Sequence, residues 1–457
     1  MEVHFMFHQK VKQILNNSIS YVANNLESYV KIPGKDYSRV KKIPAEAILS
    51  FFISQGASSS KCEWLDFHKL SADAPSLSAM NQRRSQLKPE AFQKVFQTFT
   101  SNMQTLLSSS DTASCHYNQS NYQYIAADGS TITFFSFPKF ASDDYYVSEG
   151  HSARGFYSIH INAFYNLKQK VYTDALLQPV HKKDEFRAFC DMVDEHEVPF
   201  GEKHIFIGDR GYCSYNNMAH VIEKKQFFLF RTKDKDRKGL IGNFDFPETE
   251  EFDIDINVSL VRSHRKSIKI KEGNYKRFID SSASFDYVEY GSDAVYDMEF
   301  RVVRFAITEN TYECIVTNLP RDSFPPDKIK ESYNSRWGIE TSFRKLKYTI
   351  GLSSYHAYKP EYIEQEIWAK LTAYNATEFI TNHAVIEKRE CQYTYAINFT
   401  IAAHLCRIYL SWHTKIDSID IMALITKELV AIRGDRQFAR LKTAHFRKPK
   451  YLIYRAA

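Results

Sequence analysis

Tyr124-Ile-Ala-Ala-Asp128-Gly129-Ser130-Thr131-Ile-Thr-Phe-Phe135 marks a change of period in this chain. Upstream, apolar residues recur every three or four positions. Ile43-Pro44 leads into Ala47, Ile48, Phe51 and Phe52, and Pro89-Glu-Ala-Phe92 leads into Val95, Phe96 and Phe99. That spacing lines one side of a helix and tolerates proline in the opening turn. Pro75 to Leu87, which carries Arg83 and Arg84, reads as a capped, basic helix between them. From Tyr124 the apolar runs become short. Residues 124–128 read as a strand ending at Asp128, with residues 131–135 resuming beyond Gly129-Ser130. Residues 155–164 and 171–177 read as strands, 184–196 as a helix, 204–207 as a strand, 214–225 as a helix and 227–230 as a strand. The order β-β-β-α-β-α-β indicates an α/β domain.

Residues 231–312 interrupt that rhythm. Phe252, Ile254, Ile256, Val258 and Leu260 alternate with Asp253, Asp255, Asn257 and Ser259, the pattern of a half-buried antiparallel strand. Residues 267–271 and 300–307 read the same way. Residues 313–318 return as a strand, Pro325-Pro326 marks a helix start, and no proline follows before Lys347. A single helix over 327–347 advances about 100° per residue. Tyr333, Arg336, Glu340 and Lys347 then share an arc of roughly 60°, with Ile339, Phe343, Leu346 and Ile350 in an apolar stripe beside them. The polar stripe is about 21 Å long, which suits a polymer better than a small molecule. Residues 361–383 form a long helix, and 393–432 two further helices before a basic tail.

Composition narrows the class. The hydrophobic fraction of 44% is that of a globular protein, and nothing approaches a membrane-spanning apolar run. The start, MEVHFMFHQK, lacks the plan of a secretory signal. Seven cysteines occur without a C-x-x-C pair and read as buried thiols in a reducing cytoplasm. The net charge is only +6, but it is clustered: at Lys31, Lys35, Arg39, Lys41 and Lys42, through residues 262–277, and in the tail from Arg433 to Arg455. Separate basic clusters favour an extended polyanion as partner. His160 and His204 lie among apolar residues and read as satisfied core groups.

Tyr333, Arg336, Glu340 and Lys347 fit Y-x2-R-x3-E-x6-K without a gap. Asp128-Gly129 stands at the first strand, and Asp209-Arg210-Gly211-Tyr212 follows the fourth. In this order the motifs resemble those of the insertion-sequence-four family of DDE transposases. The resemblance implies a ribonuclease-H-like core, a mixed sheet with helices, carrying a β-rich insertion and flanked by helical regions. It divides the chain into a DNA-binding domain at 1–115, a catalytic core at 116–230 and 313–385, the insertion at 231–312, and a helical, basic region at 386–457. Asp128, Asp209 and Glu340 become catalytic ligands of two divalent cations, Mg²⁺ or Mn²⁺. Tyr333, Arg336, Lys347 and Arg210 become DNA contacts at the site, and Arg83 and Arg84 become phosphate contacts in the N-terminal domain. The implied partners are double-stranded DNA, as terminal inverted repeats and target, and a second copy of the chain assembled on it. The implied location is the bacterial cytoplasm. An inactive, transposase-derived DNA-binding protein and a structure-selective nuclease are the competing readings. Phe278, Phe285, Tyr287 and Tyr290 are candidates to hold a flipped base.

Overall fold

A computed structural model describes residues 2–39, 41–108, 121–148, 155–235, 237, 239–386, 394–412, 414 and 419–432. Its centre is a ten-stranded mixed sheet. In chain order the strands are β1 (Tyr122–Phe134), β2 (Tyr146–Val147), β3 (Phe156–Asn166), β4 (Val171–Pro179), β5 (Lys203–Gly208), β6 (Phe227–Thr232), β7 (Phe252–Val261), β8 (Tyr275–Phe278), β9 (Val295–Thr308) and β10 (Thr311–Thr317). Across the sheet they run β2-β3-β1-β5-β6-β10-β9-β7-β8, with β4 also paired to β3. The pairs β1–β5 and β5–β6 are parallel, and α6 (Glu185–Glu195) and α7 (Tyr215–Glu223) supply the crossovers. Every residue of β3 is buried, as expected for a strand covered on both faces.

Two sequence expectations change here. Asp128 does not end a strand: β1 runs unbroken through Asp128-Gly129-Ser130, paired with Ala163, Asn162 and Ile161 of β3. The β-rich insertion joins the central sheet, and one of its expected strands is missing. β9 pairs with β10 and β7 with β9, so residues 252–308 extend the central sheet. Within it, residues 267–271 form no strand, because only Ile268 of that lysine-rich run is buried. Tyr275–Phe278 supplies β8 instead, parallel to the end of β7.

A helical layer covers the other side of β1, β3 and β4. It contains α1 (Glu2–Asn24), α2 (Ala45–Ser54), α3 (Ser60–Phe67), α4 (Leu77–Arg84) and α5 (Pro89–Ser108). The long α10 (Pro360–Asn382) threads through it, buried nearly all round, and packs on α1, α2, α5 and β4. One apolar cluster runs from Val11 and Leu15 through Phe92 and Phe96 to Ile159, Leu371 and Tyr374. Asn375 locks three elements together. Its Nδ2 donates to Tyr172 O at 2.7 Å and Thr100 Oγ1 at 3.0 Å, while its Oδ1 accepts from Tyr172 N at 2.9 Å. A polar side chain at that depth is tolerated because its hydrogen-bonding capacity is used.

The two C-terminal helices are α11 (Phe399–Leu410) and α12 (Ile421–Lys427). A small ribbon of β11 (Thr394–Ile397) and β12 (Leu429–Ile432), which periodicity did not reveal, flanks them. The basic tail from Arg433 lies outside the described residues. Among the described residues no helix is long and apolar enough to cross a membrane.

Two carboxyls near α5 make stability depend on pH. Burial, helped by Glu195, pushes Asp174 on β4 up to about 7. Burial, helped by Glu90, pushes Glu364 on α10 up to about 7. A carboxyl raised on folding stabilises the fold while protonated, so stability is lost as pH rises from the ordinary carboxylate range towards 7. Asp174→Asn should flatten that fall, measured as urea midpoints between about pH 4 and 8. An unchanged slope would show that Asp174 is not held neutral.

Candidate active site

The parallel register of β1 and β5 sets Ala126 beside Ile207. Two residues further along, Asp128 lies within β1 and Asp209 stands just past the end of β5, and the charge of Asp209 reaches the Asp128 carboxyl. Asp209 closes the turn after β5: its Oδ1 accepts from Gly211 N at 2.7 Å. Asp128 Oδ1 accepts from Gly129 N at 2.9 Å. Gly129 is needed for space rather than for a turn. A Cβ there would lie 2.5 Å from His160 Nε2 and 3.0 Å from Glu185 Oε1. His160 is buried and held by Thr131 at 3.2 Å and Glu185 at 3.1 Å, so it cannot retreat cheaply. Gly129→Ala should therefore cost about 1–3 kcal/mol, the usual range for overpacking a filled site. Urea denaturation measures it, and an unchanged midpoint would contradict the packing argument.

The third carboxylate arrives on α9 (Trp337–Arg344), which packs on β1. The helix expected over 327–347 is interrupted on both sides of it. α8 (Pro326–Asn334) ends before a tightened stretch, in which Arg336 N donates to Tyr333 O, Gly338 N to Ser335 O and Ile339 N to Arg336 O, each three residues back. Gly338 lets this stretch press on the turn after β3, since a Cβ would meet Leu167 Cδ2 at 2.7 Å. Beyond Arg344 the backbone widens into a π-turn over Lys345–Thr349, with Ile350 N reaching Lys345 O. The straight-helix arc therefore does not describe Lys347, which reaches the site by another route: its Nζ donates to Thr131 O on β1 at 3.1 Å. Ile339, Phe343 and Leu346 are buried, and Ile350 is partly buried, as the apolar stripe predicts.

Electrostatics tie these groups together. Burial pushes the Asp128 carboxyl up to about 6; the Gly129 N–H and Arg336 oppose this, while Asp209 and Glu340 add to it. Like charges this close to Asp128 disfavour its ionised form. Arg336, buried behind them, donates to Glu340 Oε1 at 2.8 Å and lies 5.9 Å from the Tyr333 ring. Tyr333 sits among Ile205, Ile207 and Leu229, and burial pushes its phenol up to about 12. Burial lowers the Lys347 ammonium, and Asp128 opposes that shift. Arg210 is exposed beside Asp209.

Arg83 and Arg84 need correction. Neither presents its guanidinium to solvent. Arg83 stacks on Tyr37 at 3.4 Å and donates to Ile43 O and Gln86. Arg84 is 3% exposed and donates to Gln365 at 2.8 Å, Tyr362 O at 2.7 Å and Glu366 at 3.0 Å. Their donors are spent joining α4 to the helical layer and α10, so neither is placed to meet a phosphate. Of the insertion's aromatics, Phe285 is buried and Tyr290 exposed beside Arg262. One exposed ring at the site escaped notice in the sequence. Trp337 lies 5.3 Å from the Arg336 guanidinium and is half exposed. Its position inside the Y-x2-R-x3-E run was the available signal.

Residues 119–376, over half of the chain, match the Transposase DDE domain family. This chain belongs to that family. The matched span opens just before β1 and closes within α10, so it takes in Asp128, Asp209, Glu340 and the whole insertion. Among curated proteins, the chain is 38% identical over 58 residues to Transposase InsG for insertion sequence element IS4 of Escherichia coli (strain K12), covering 12% of this chain and 13% of that protein. It is 34% identical over 59 residues to the Putative transposase InsL for insertion sequence element IS186A of the same strain, covering 13% and 16%. The matches thus span less than a fifth of these relatives' length. A solved piggyBac transposase synaptic complex with hairpin DNA aligns over 93% of this chain and 84% of that one, at 9% identity and a TM-score of 0.42.

Proposed function

We propose that this protein is the DNA transposase of an insertion sequence, with Asp128, Asp209 and Glu340 as its catalytic carboxylates. The observation that carries the reading is the electrostatic coupling of Asp128 to both Asp209 and Glu340, with β1 and β5 running side by side up to Ala126 and Ile207. Family membership supports it. We further assign Tyr333, Arg336, Glu340 and Lys347 to the Y-R-E-K signature of the insertion-sequence-four type. We read the sheet with α6, α7 and α9 as a ribonuclease-H-like core at 116–230 and 313–385, interrupted by the insertion at 231–312 and flanked by the helical regions at 1–115 and 386–457.

The donor set suits two Mg²⁺ or Mn²⁺ ions. It consists of hard carboxylate oxygens, one of them already burdened by its neighbours' charge. When bound, such ions supply charge to both the attacking and the leaving oxygen of an in-line phosphodiester displacement. The chain's own residues do the placing. Arg336 fixes the Glu340 carboxylate from behind, and Tyr333 backs Arg336 with an un-ionised ring. Lys347, anchored on Thr131 O, holds positive charge beside Asp128, where a scissile phosphate is expected. Exposed Arg210 offers a planar fork to a neighbouring phosphate. The substrates are the terminal inverted repeats and a target duplex, and the working assembly is a homodimer on that DNA in the bacterial cytoplasm.

The test is incubation with the inverted repeats flanking the coding sequence, with and without Mg²⁺. Metal-dependent cleavage at the ends and joining to a target plasmid are expected. Specific end binding without nicking would point to an inactive descendant, and nicking without joining to a structure-selective nuclease.

A further inference from the structure

Behind the π-turn at Lys345–Thr349 lies a cavity of about 250 Å³ between α2, α10 and α11. Ile53, Ile350 and Leu410 are among the residues that make its walls largely apolar, and Gln55, Lys370 and Arg407 also line it. Two features of the lining are costly as they stand. Gln55 is 3% exposed, yet neither its Oε1 nor its Nε2 has a hydrogen-bond partner. A buried amide left in that condition loses about 1–3 kcal/mol for each unmet group. Lys370 is 2% exposed, and its ammonium donates to the backbone oxygen of Gln55.

The nearby carboxylates do not compensate Lys370 at contact distance. Glu63 accepts from Gly56 N at 3.0 Å, Ser58 N at 2.9 Å and Arg407 Nη1 at 2.9 Å. Glu366 is taken by Arg84 at 3.0 Å and by His356 N at 3.1 Å. Each acid is thus satisfied by its own cation and by backbone N–H groups. Lys370 is left as a buried ammonium that faces a cavity, and burial lowers it to about 8. An ammonium so placed is stabilised by an anion that brings its own oxygen acceptors.

We infer that this cavity is a binding site for a small organic monoanion, a carboxylate on a short aliphatic body. The carboxylate meets the Lys370 ammonium and the Gln55 amide N–H, and the aliphatic part lies against Ile53, Ile350 and Leu410. Nothing in this inference depends on the function proposed above. Its position gives it a further interest, because Thr349 of the cavity wall closes the π-turn that carries Lys347, and Ile350 directly follows it.

The experiment is isothermal titration of the full-length protein with hexanoate, using hexanamide as the uncharged isostere and inorganic phosphate as the anion without an aliphatic body. Saturable one-site binding of hexanoate is expected, with hexanamide and phosphate each at least about tenfold weaker, the equivalent of one lost charge-assisted contact. Lys370→Met should abolish the preference for hexanoate over hexanamide while the protein still melts cooperatively. If that variant does not fold, Gln55→Leu supplies the second reading, with hexanoate affinity expected to fall. Equal binding of hexanoate and hexanamide, or an unchanged preference in a folded variant, would overturn the assignment.

Discussion

Asp128→Asn, Asp209→Asn and Glu340→Gln should each reduce metal-dependent cleavage of the terminal DNA by about 1,000-fold or more. The size follows from what the carboxylates are proposed to do. Charge stabilisation by bound ions contributes several kcal/mol to the transition state, and each 1.36 kcal/mol is a factor of ten. The three substitutions should be alike in effect because all three carboxylates would hold the ions, and losing any one would weaken the shared site. Binding of the uncleaved ends should survive within a few-fold, since phosphate contacts elsewhere carry most of the affinity. Asp128→Asn should also fold well, because burial and its neighbours' charge already penalise the ionised form in the metal-free protein. Cleavage is read on end-labelled duplexes and binding by mobility shift on the same duplexes. Full cleavage by any one variant would remove that residue from the assignment.

Arg84→Ala is the substitution with the largest expected effect on stability, about 3–5 kcal/mol, the range for removing one partner of a buried ion pair. It strips Glu366, itself 2% exposed, of its cation, and leaves Gln365 and the carbonyl of Tyr362 short of a donor. It also removes a guanidinium packed over Phe52 at 4.1 Å. Guanidinium-induced unfolding measures the loss. A surface phosphate contact would behave differently: melting would hold, while DNA affinity and its salt dependence would fall. That second pattern would restore the role expected from sequence and contradict the buried geometry.

The contrast shows where sequence reasoning reaches and where it stops. Alternation in β7 and the apolar stripe of α9 were legible because each is a local period that burial imposes on one element. The candidate carboxylates could be picked out because each sits in a short context that recurs in a known family. Arg83 and Arg84 were misread because a basic pair on a short helix looks the same whether it faces solvent or an acid some 280 residues away. Gly129 suggested a turn because glycine's usual meaning is conformational; here it leaves room for His160, which only the β1–β3 register reveals. The kinks around α9 were hidden for a similar reason. Residues 327–347 contain no proline, and the close approach of Leu167 to Gly338 comes from another part of the chain.

The sheet carries a practical lesson for anyone who would trim or swap the segment at 231–312. β10, which begins at the end of that segment, is bonded to β6 on one flank and to β9 on the other: Val316 is level with Phe230 and with Val302. Excising the segment would bare a full flank of β10, along Cys314, Ile315 and Val316, as an unpaired apolar border open to other chains. The segment is thus a span of one beam rather than an exchangeable module. A shortened protein should precipitate unless β9 is kept as its cap.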